Sequence, residues 1–156
     1  MPQIIVLDAN LLLLLAVGLT KRTYISLHKR LQAYDETDFD ILSGLIGRAS
    51  GLALTPNVLT ETSNLARYIK DPIRSEISAV LVRIILNSNE HLIPSSTATA
   101  RPEYHRLGLT DSVLLETASL GGTLLTADHD LYQAALTARL KAKNFNHIRD
   151  LRSDFH

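Results

Sequence analysis

The segment from Ile4 to Leu19, IIVLDANLLLLLAVGL, holds sixteen residues of which only Asp8 and Asn10 are polar. A run like this has to be hidden on nearly every side, inside a membrane or inside the protein itself. A membrane span takes about 20 apolar residues and disfavours an acid near its centre. A signal peptide wants basic residues ahead of its apolar stretch, and here that place holds Met1, Pro2 and Gln3. Neither pattern fits, so no membrane association is expected. The alternative is a buried strand, Gln3 to Leu7, running into a helix from about Leu11 whose leucines face the interior on most sides. A parallel sheet covered on both faces produces unbroken apolar runs of this kind.

The remainder of the chain fits that frame. Residues 20–50 change character: KRTYISLHKR is basic, YDETDFD is acidic, and Ile41, Leu42, Leu45 and Ile46 follow at helical spacing, which predicts an insertion of two exposed helices. Leu52 to Leu54 reads as a short strand. Thr55-Pro56 pairs a capping hydroxyl with a proline suited to the first helical position, and predicts a helix of about 15 residues. Asp71-Pro72 ends it, and a second helix follows from about Ile73 to Leu86. His91 to Pro94 reads as a strand, and Ser95 to Ala100 as a loop or a helix start interrupted by Pro102. Thr110 is a possible cap for a helix that Gly121-Gly122 ends, with Leu109 and Leu114 as its staple. Thr123 to Thr126 reads as a strand, Asp130 to Leu140 as a helix, and Asn146 to Ile148 as a last strand. Strands separated by helices predict an α/β fold, a three-layer α/β/α sandwich round a parallel sheet of about five strands. With 156 residues, this is one domain, 1–156, able to bury about two-thirds of the surface that its unfolded chain exposes.

The chemistry has to come from carboxylates. The chain has no Cys, which removes disulfides and thiolate zinc sites and fits a reducing cytoplasm. It contains no GxSxG, GxxxxGK[ST] or GxGxxG. Its 16 Lys plus Arg balance 16 Asp plus Glu, so any phosphate-binding surface has to be local. Four acids stand where a parallel sheet would gather them: Asp8 at the end of the first strand, Glu61 in the helix after the second, Asp111 in the first turn of a helix, and Asp128 just past the strand ending at Thr126. Ligands of open parallel sheets bind beyond the carboxyl ends of the strands. Four carboxylates brought together there raise one another's pKa unless a cation neutralises them, and hard oxygen donors suit Mg²⁺ or Mn²⁺.

Each acid also has a structural explanation. Asp111, and Asp128 or Asp130, sit where acids stabilise helix starts. Glu61 lies at the margin of an apolar face made by Val58, Leu59, Leu65, Ala66 and Ile69, about 90° from its centre, where a solvated Glu is ordinary. Asp8 is the hardest to explain this way, since it closes an apolar strand ahead of five leucines and would be a half-buried charge without a partner.

Taken together, DAN at Asp8 to Asn10, Glu61 in TPNVLTETSNLA, LGLTDSVLLETA round Asp111 and LLTADHDL round Asp128 resemble a PIN domain, especially the small VapC-like toxin nucleases. The resemblance covers most of the chain. It implies a metal-dependent endoribonuclease on a Rossmann-like sheet, acting on single-stranded or loop RNA. Asp8, Glu61, Asp111 and Asp128 would be its Mg²⁺ or Mn²⁺ acids, Asp130 an alternative or auxiliary one, and Asn10 would stand beside them. It further implies products with 5′-phosphate ends, a toxin-antitoxin setting with an antitoxin protein as partner, and a homodimer. The 53 positions from Asp8 to Glu61, with the 20–50 insertion between them, exceed the compact toxin pattern.

Asn10 and Thr126 carry neutral polar groups suited to positioning water or an acid, or to local capping. Lys21, Arg22, Lys29, Arg30, Arg67, Lys70, Arg101 and Arg106 are candidate backbone contacts for RNA, or plain surface charge. His129 reads as a surface residue. The 29 leucines leave room for an apolar patch, and the stripe of Ile77, Leu81, Ile84 and Ile85 is a candidate dimer face as well as ordinary core. Two other readings compete: a noncatalytic PIN-like RNA-binding or scaffold module, and a phosphatase of the haloacid dehalogenase type. The latter ordinarily has a second Asp where this chain has Asn10.

Overall fold

The β-branched residues Ile4, Ile5 and Val6 favour an extended backbone, and Ile4–Leu7 forms strand β1 in the computed structural model, which describes residues 3–152. Asp8 turns the chain into helix α1 (Ala9–Thr20), its Oδ1 accepting from the Ala9 N–H at 2.7 Å. Leu11 to Leu14 are 0% exposed and Leu15 only 3%, so the helix has no polar stripe along this stretch. It packs against the following helical segments on several sides. The sixteen-residue apolar run is thus hidden within the protein, and no helix among the described residues is long and apolar enough to cross a membrane.

Residues 20–50 depart from the expected pair of helices. They form two 3₁₀ turns, Arg22–Leu27 and Lys29–Leu31, and one α-helix, α2 (Glu36–Arg48). The first stretch buries Ile25 alone and the second Leu31 alone, and Thr23, Tyr24 and Ile25 are weak helix formers, so tight turns pinned by single side chains replace a longer helix. Helix α2 starts with a reciprocal cap. Asp35 Oδ1 accepts from the Asp38 N–H at 2.9 Å, and Asp38 Oδ2 accepts from the Asp35 N–H at 3.0 Å. Asp38 is fully buried and accepts from the guanidinium groups of Arg149 and Arg152, each at 2.8 Å.

Strand β2 (Gly51–Leu54) leads to Thr55, whose Oγ1 accepts from the Val58 N–H at 3.2 Å and caps helix α3 (Pro56–Ala66), with the proline in its first turn as expected. The helix is 11 residues long. Its end tightens into i→i−3 bonds, from Arg67 to Asn64 and from Tyr68 to Leu65, so helical spacing outlasts the α-helix itself. Helix α4 (Ile73–Leu86) buries Ile77, Leu81 and Ile84, and Ile85 packs against the same core. That stripe is interior and supplies no dimer face.

Strand β3 is only Asn89–Glu90, ahead of the expected His91 to Pro94, because β2 ends at Leu54 and offers no further partner. The Ser95 to Ala100 stretch forms a short helix, α5 (Ser95–Thr99). Helix α6 (Tyr104–Leu107) follows, and Gly108, at φ 90°, turns the chain directly into α7 (Leu109–Ser119). Thr110 therefore lies within the helix and does not cap it, and α7 begins with no side-chain cap. Strand β4 (Thr123–Thr126) precedes α8 (His129–Thr137) and β5 (Ala142–Asn144). The expected strand at Asn146 to Ile148 is instead part of helix α9 (Phe145–Arg149), which Asn144 caps by accepting from the Asn146 N–H at 2.9 Å.

All strand pairs are parallel, in the order β3-β2-β1-β4-β5. With helices on both faces, this is the three-layer α/β/α Rossmann-like arrangement that the sequence predicts. Helix α7 packs on β1 and β4, and α8 on β4 and β5.

At Gly18 the Phe39 ring of α2 lies against the α1 backbone, and a methyl group there would overlap it. Gly18→Ala is expected to lower stability by about 1–3 kcal/mol through overpacking. In a Phe39→Leu background the same change should cost less, a coupling that urea unfolding of the four proteins in a double-mutant cycle would read.

Candidate functional site

Strand order reverses direction between β1 and β4, and in such sheets the crevice beyond the carboxyl ends of the two strands is the natural ligand site. Asp8 follows β1 directly, and Thr126 is the last residue of β4. The fully buried Thr126 hydroxyl donates to Asp8 Oδ2 at 2.7 Å and accepts from the Asp128 N–H at 3.0 Å. One threonine thus joins the ends of both strands and sets the spacing of the two acids. Asp128 also caps α8, its Oδ1 accepting from the Leu131 N–H at 3.0 Å. Its structural explanation holds as far as that oxygen goes.

Glu61 arrives from α3 and Asp111 from the first turn of α7, two helices packed against each other. Asp8, Asn10, Glu61, Asp111 and Asp128 line one open cavity of about 1010 Å³. Among the described residues that line it there is no Lys, Arg or His. Asp111 makes no hydrogen bond to a helix N–H, and α7 has no side-chain cap at all, so capping does not explain this acid. Asp130 is exposed in the first turn of α8 and does not line the cavity. His129 is exposed, as expected.

The wall contributed by α3 is wider than the acids suggest. Asn57, Thr60 and Asn64 line the cavity beside Glu61, and Tyr68 beyond them. Their spacing of three, one and three residues places them on one helical face, and that periodic polar face was the signal in the sequence that could have revealed them.

Crowding of like charge in a partly desolvated cleft has the expected effect. Burial pushes the Asp111 carboxyl up to about 7, helped by the negative charges of Asp8, Asp128 and Glu61. Burial also raises Asp8, against the lowering by its hydrogen bonds from Thr126 and Ala9, and Asp128 raises it further. Glu61 is raised by burial and then by Asp8. The donor set is oxygen alone. Among the described residues, no three acids or histidines converge closely enough to ligate one ion directly, so an ion here would be held by one or two carboxylates with water completing its shell, the habit of Mg²⁺.

No family model and no curated protein matches the chain. Among solved structures it is similar to a domain of a functionally unknown protein from Methanocaldococcus jannaschii DSM 2661, with 17% identity over 91% of this chain and 90% of that chain and a TM-score of 0.45. At that distance the likeness says nothing of chemistry.

The candidate basic contacts divide by location. Arg22 is paired with Asp40 at 2.7 Å, and Arg101 with Glu116 at 2.8 Å and Glu103 at 3.2 Å. Lys29, Arg67 and Lys70 line a separate groove, and Arg30 lies over the Tyr68 ring at 4.1 Å from its centroid.

The raised Asp111 makes a pH prediction. Folded, it keeps its proton up to about pH 7, whereas its ordinary value is 3.8, so the folded state binds more protons between these limits and stability falls as pH rises through them. Asp8 and Glu61 act in the same direction, and Asp35, held below its ordinary value, acts in the opposite one. Asp111→Asn removes one contribution cleanly. In EDTA the variant should gain about 1–2 kcal/mol relative to wild type between pH 4.5 and 7.5, less than the full shift implies because water reaches the carboxyl. Urea unfolding across that range checks it, and a pH-independent difference would contradict the assignment.

Proposed function

We propose that this chain is a metal-dependent ribonuclease that hydrolyses phosphodiester bonds in single-stranded or loop RNA, with Mg²⁺ or Mn²⁺ held among Asp8, Glu61, Asp111 and Asp128. The observation that carries the reading is Asp111. It has no capping hydrogen bond, it faces three other acids, and among the described residues no basic side chain lines the cavity that they share. A fold built for stability alone has no reason to gather four carboxylates without a counter-charge, whereas a cation and the phosphate that it binds supply the missing partners. The pattern of acids along the chain, which resembles that of PIN domains, supports the same reading.

When bound, the ion supplies Lewis acidity for the scissile phosphate and a water of lowered pKa. The chain's own groups do the rest. Thr126 holds Asp8 and Asp128 in register across the β1 and β4 ends. Asp111 makes no hydrogen bond to a helix N–H, which leaves its carboxylate available to take the proton of the attacking water. That water's oxygen bonds to phosphorus as the bond to the 3′ oxygen breaks, and the leaving oxygen takes up a proton from solvent, which gives a 5′-phosphate and a 3′-hydroxyl. Asn10 and the α3 face of Asn57, Thr60 and Asn64 offer neutral groups to orient the strand. Unpaired RNA suits a cleft of this kind better than a rigid duplex.

Purified protein is expected to cleave a mixed-sequence single-stranded RNA with Mn²⁺ and to leave it intact in EDTA. Asp111→Asn should lower kcat by about 10²- to 10⁴-fold. Mn²⁺ at a hundredfold excess over its Kd at pH 7.5 should stabilise the wild type by about 2.7 kcal/mol, and the same Mn²⁺ concentration should stabilise it less at pH 5.5, because metal and protons compete for the same carboxylates. Absence of cleavage together with an unchanged melting temperature would identify the chain as a noncatalytic module.

A further inference from the structure

Adjoining the acidic cavity is a second groove of about 480 Å³ whose lining includes Lys29, Arg67, Lys70 and Arg74. Tyr68 lines both and forms the boundary between them. We propose that this groove is a binding track for the substrate strand, taking the phosphates of single-stranded RNA on one side of the cleavage point while the acidic cavity holds the scissile one.

The charge distribution argues for it. The chain as a whole is neutral, and the groove sets four cations against one acid, Asp71, a local excess of +3. Asp71 accepts from the Ser75 hydroxyl at 2.6 Å and from the Ser75 N–H at 3.0 Å, and its single charge is shared between Arg74 and Arg67. Lys29, Arg67 and Lys70 are exposed, and no carboxylate among the described residues forms an ion pair with any of them. Arg74 is tied to the groove wall, its Nε donating to the Ile69 carbonyl at 3.0 Å. A strand of phosphates supplies the counter-charge that these side chains lack, and releases its own counterions in doing so.

The groove is also built rather than accidental. Its basic residues come from separate segments that buried contacts hold together. His28 is 0% exposed, and its Nε2 donates to the Ala66 carbonyl at the end of α3 at 3.3 Å while its Nδ1 accepts from the Arg30 N–H at 3.2 Å. That anchor fixes the Lys29–Leu31 turn beside Arg67 and Tyr68, and gives the 20–50 insertion a task. Arg30 occupies one face of the Tyr68 ring, and the tyrosine remains 46% exposed, leaving an aromatic surface for a base at the junction of the two cavities.

The inference rests on the nuclease reading but is tested apart from it, by anisotropy of a fluorescent twelve-residue oligouridylate in EDTA between 50 and 200 mM salt. Wild type should bind. Arg67→Gln/Lys70→Gln should weaken binding at least tenfold at 50 mM salt and flatten the log–log salt dependence by about 1.4, at roughly 0.7 per lost phosphate contact. Lys29→Gln should flatten it by about 0.7. Lys141→Gln/Lys143→Gln, an equal loss of charge at the β5 edge, should leave both quantities unchanged. Equal losses in the two double variants, or no wild-type binding, would overturn the groove assignment. The same oligomer in deoxy form separates backbone capture from recognition of the 2′-hydroxyl. Groove-dependent binding without Mn²⁺-dependent cleavage would leave the groove as a single-strand binding surface and remove the nuclease; cleavage with binding unaffected by Arg67→Gln/Lys70→Gln would keep the nuclease and remove the track.

Discussion

Helix α1 has no solvent face over most of its length, and everything else is arranged to cover it. Residues Leu11 to Val17 are buried without interruption, so α3, α4, α2 and the first 3₁₀ turn all pack round this one helix. A helix with one apolar stripe can be finished by a sheet alone; one that is apolar all round needs additional layers. The 20–50 insertion meets part of that need. Ile25, Leu31, Phe39 and Leu42 all join the core, so the segment that looks exposed by its charge is pinned to the interior at intervals. At the other end of the same helix stands Asp8, and the burial that makes α1 stable also makes the neighbouring carboxylate hard to ionise.

The acidic cleft therefore opposes the stability of the fold that contains it. Three of its four acids titrate above their ordinary range, a cost that the rest of the fold has to offset. The Thr126 bridge holds Asp8 and Asp128 at the ends of two paired strands, and Asp111 is fixed in the first turn of a helix packed on the same strands. Sites where local choices disagree with stability are the ones in which function is to be sought. Here the disagreement is confined to one crevice at the reversal of strand order.

Much of this was legible in the residues. The β1–α1 unit follows from its unbroken apolar run, the start of α3 from Thr55-Pro56, and the gathering of Asp8, Glu61, Asp111 and Asp128 from the rule that parallel sheets present their carboxyl ends to ligands. The features that escaped depend on partners distant in sequence or on very short pairings. Residues 22–31 take their shape from single buried anchors such as Ile25 and His28, and α2 is held by Asp38 to Arg149, 111 residues away. Strands β3 and β5 have two and three residues, too few for a periodic signal. The uncapped start of α7 turns on the positive φ of Gly108, which a polar Thr two residues on disguises. Lys29, Arg67 and Lys70 were candidates from the sequence, but that they share one groove was not legible, because only the fold brings Lys29 beside residues 67–74.

The short edge strands have an effect on the behaviour of the molecule in company. A sheet recruits further strands through a row of free N–H and C=O groups at its margin, and long flat margins invite this. Here one margin is Asn89–Glu90 and the other Ala142–Asn144, and the exposed charges of Glu90 and Lys143 stand on them. Neither offers a template long enough to capture a neighbour. In a chain that is 46% hydrophobic and carries a run of five leucines, the most adhesive segment lies in the interior while the margins of the sheet are clipped and charged, which denies strand addition a template.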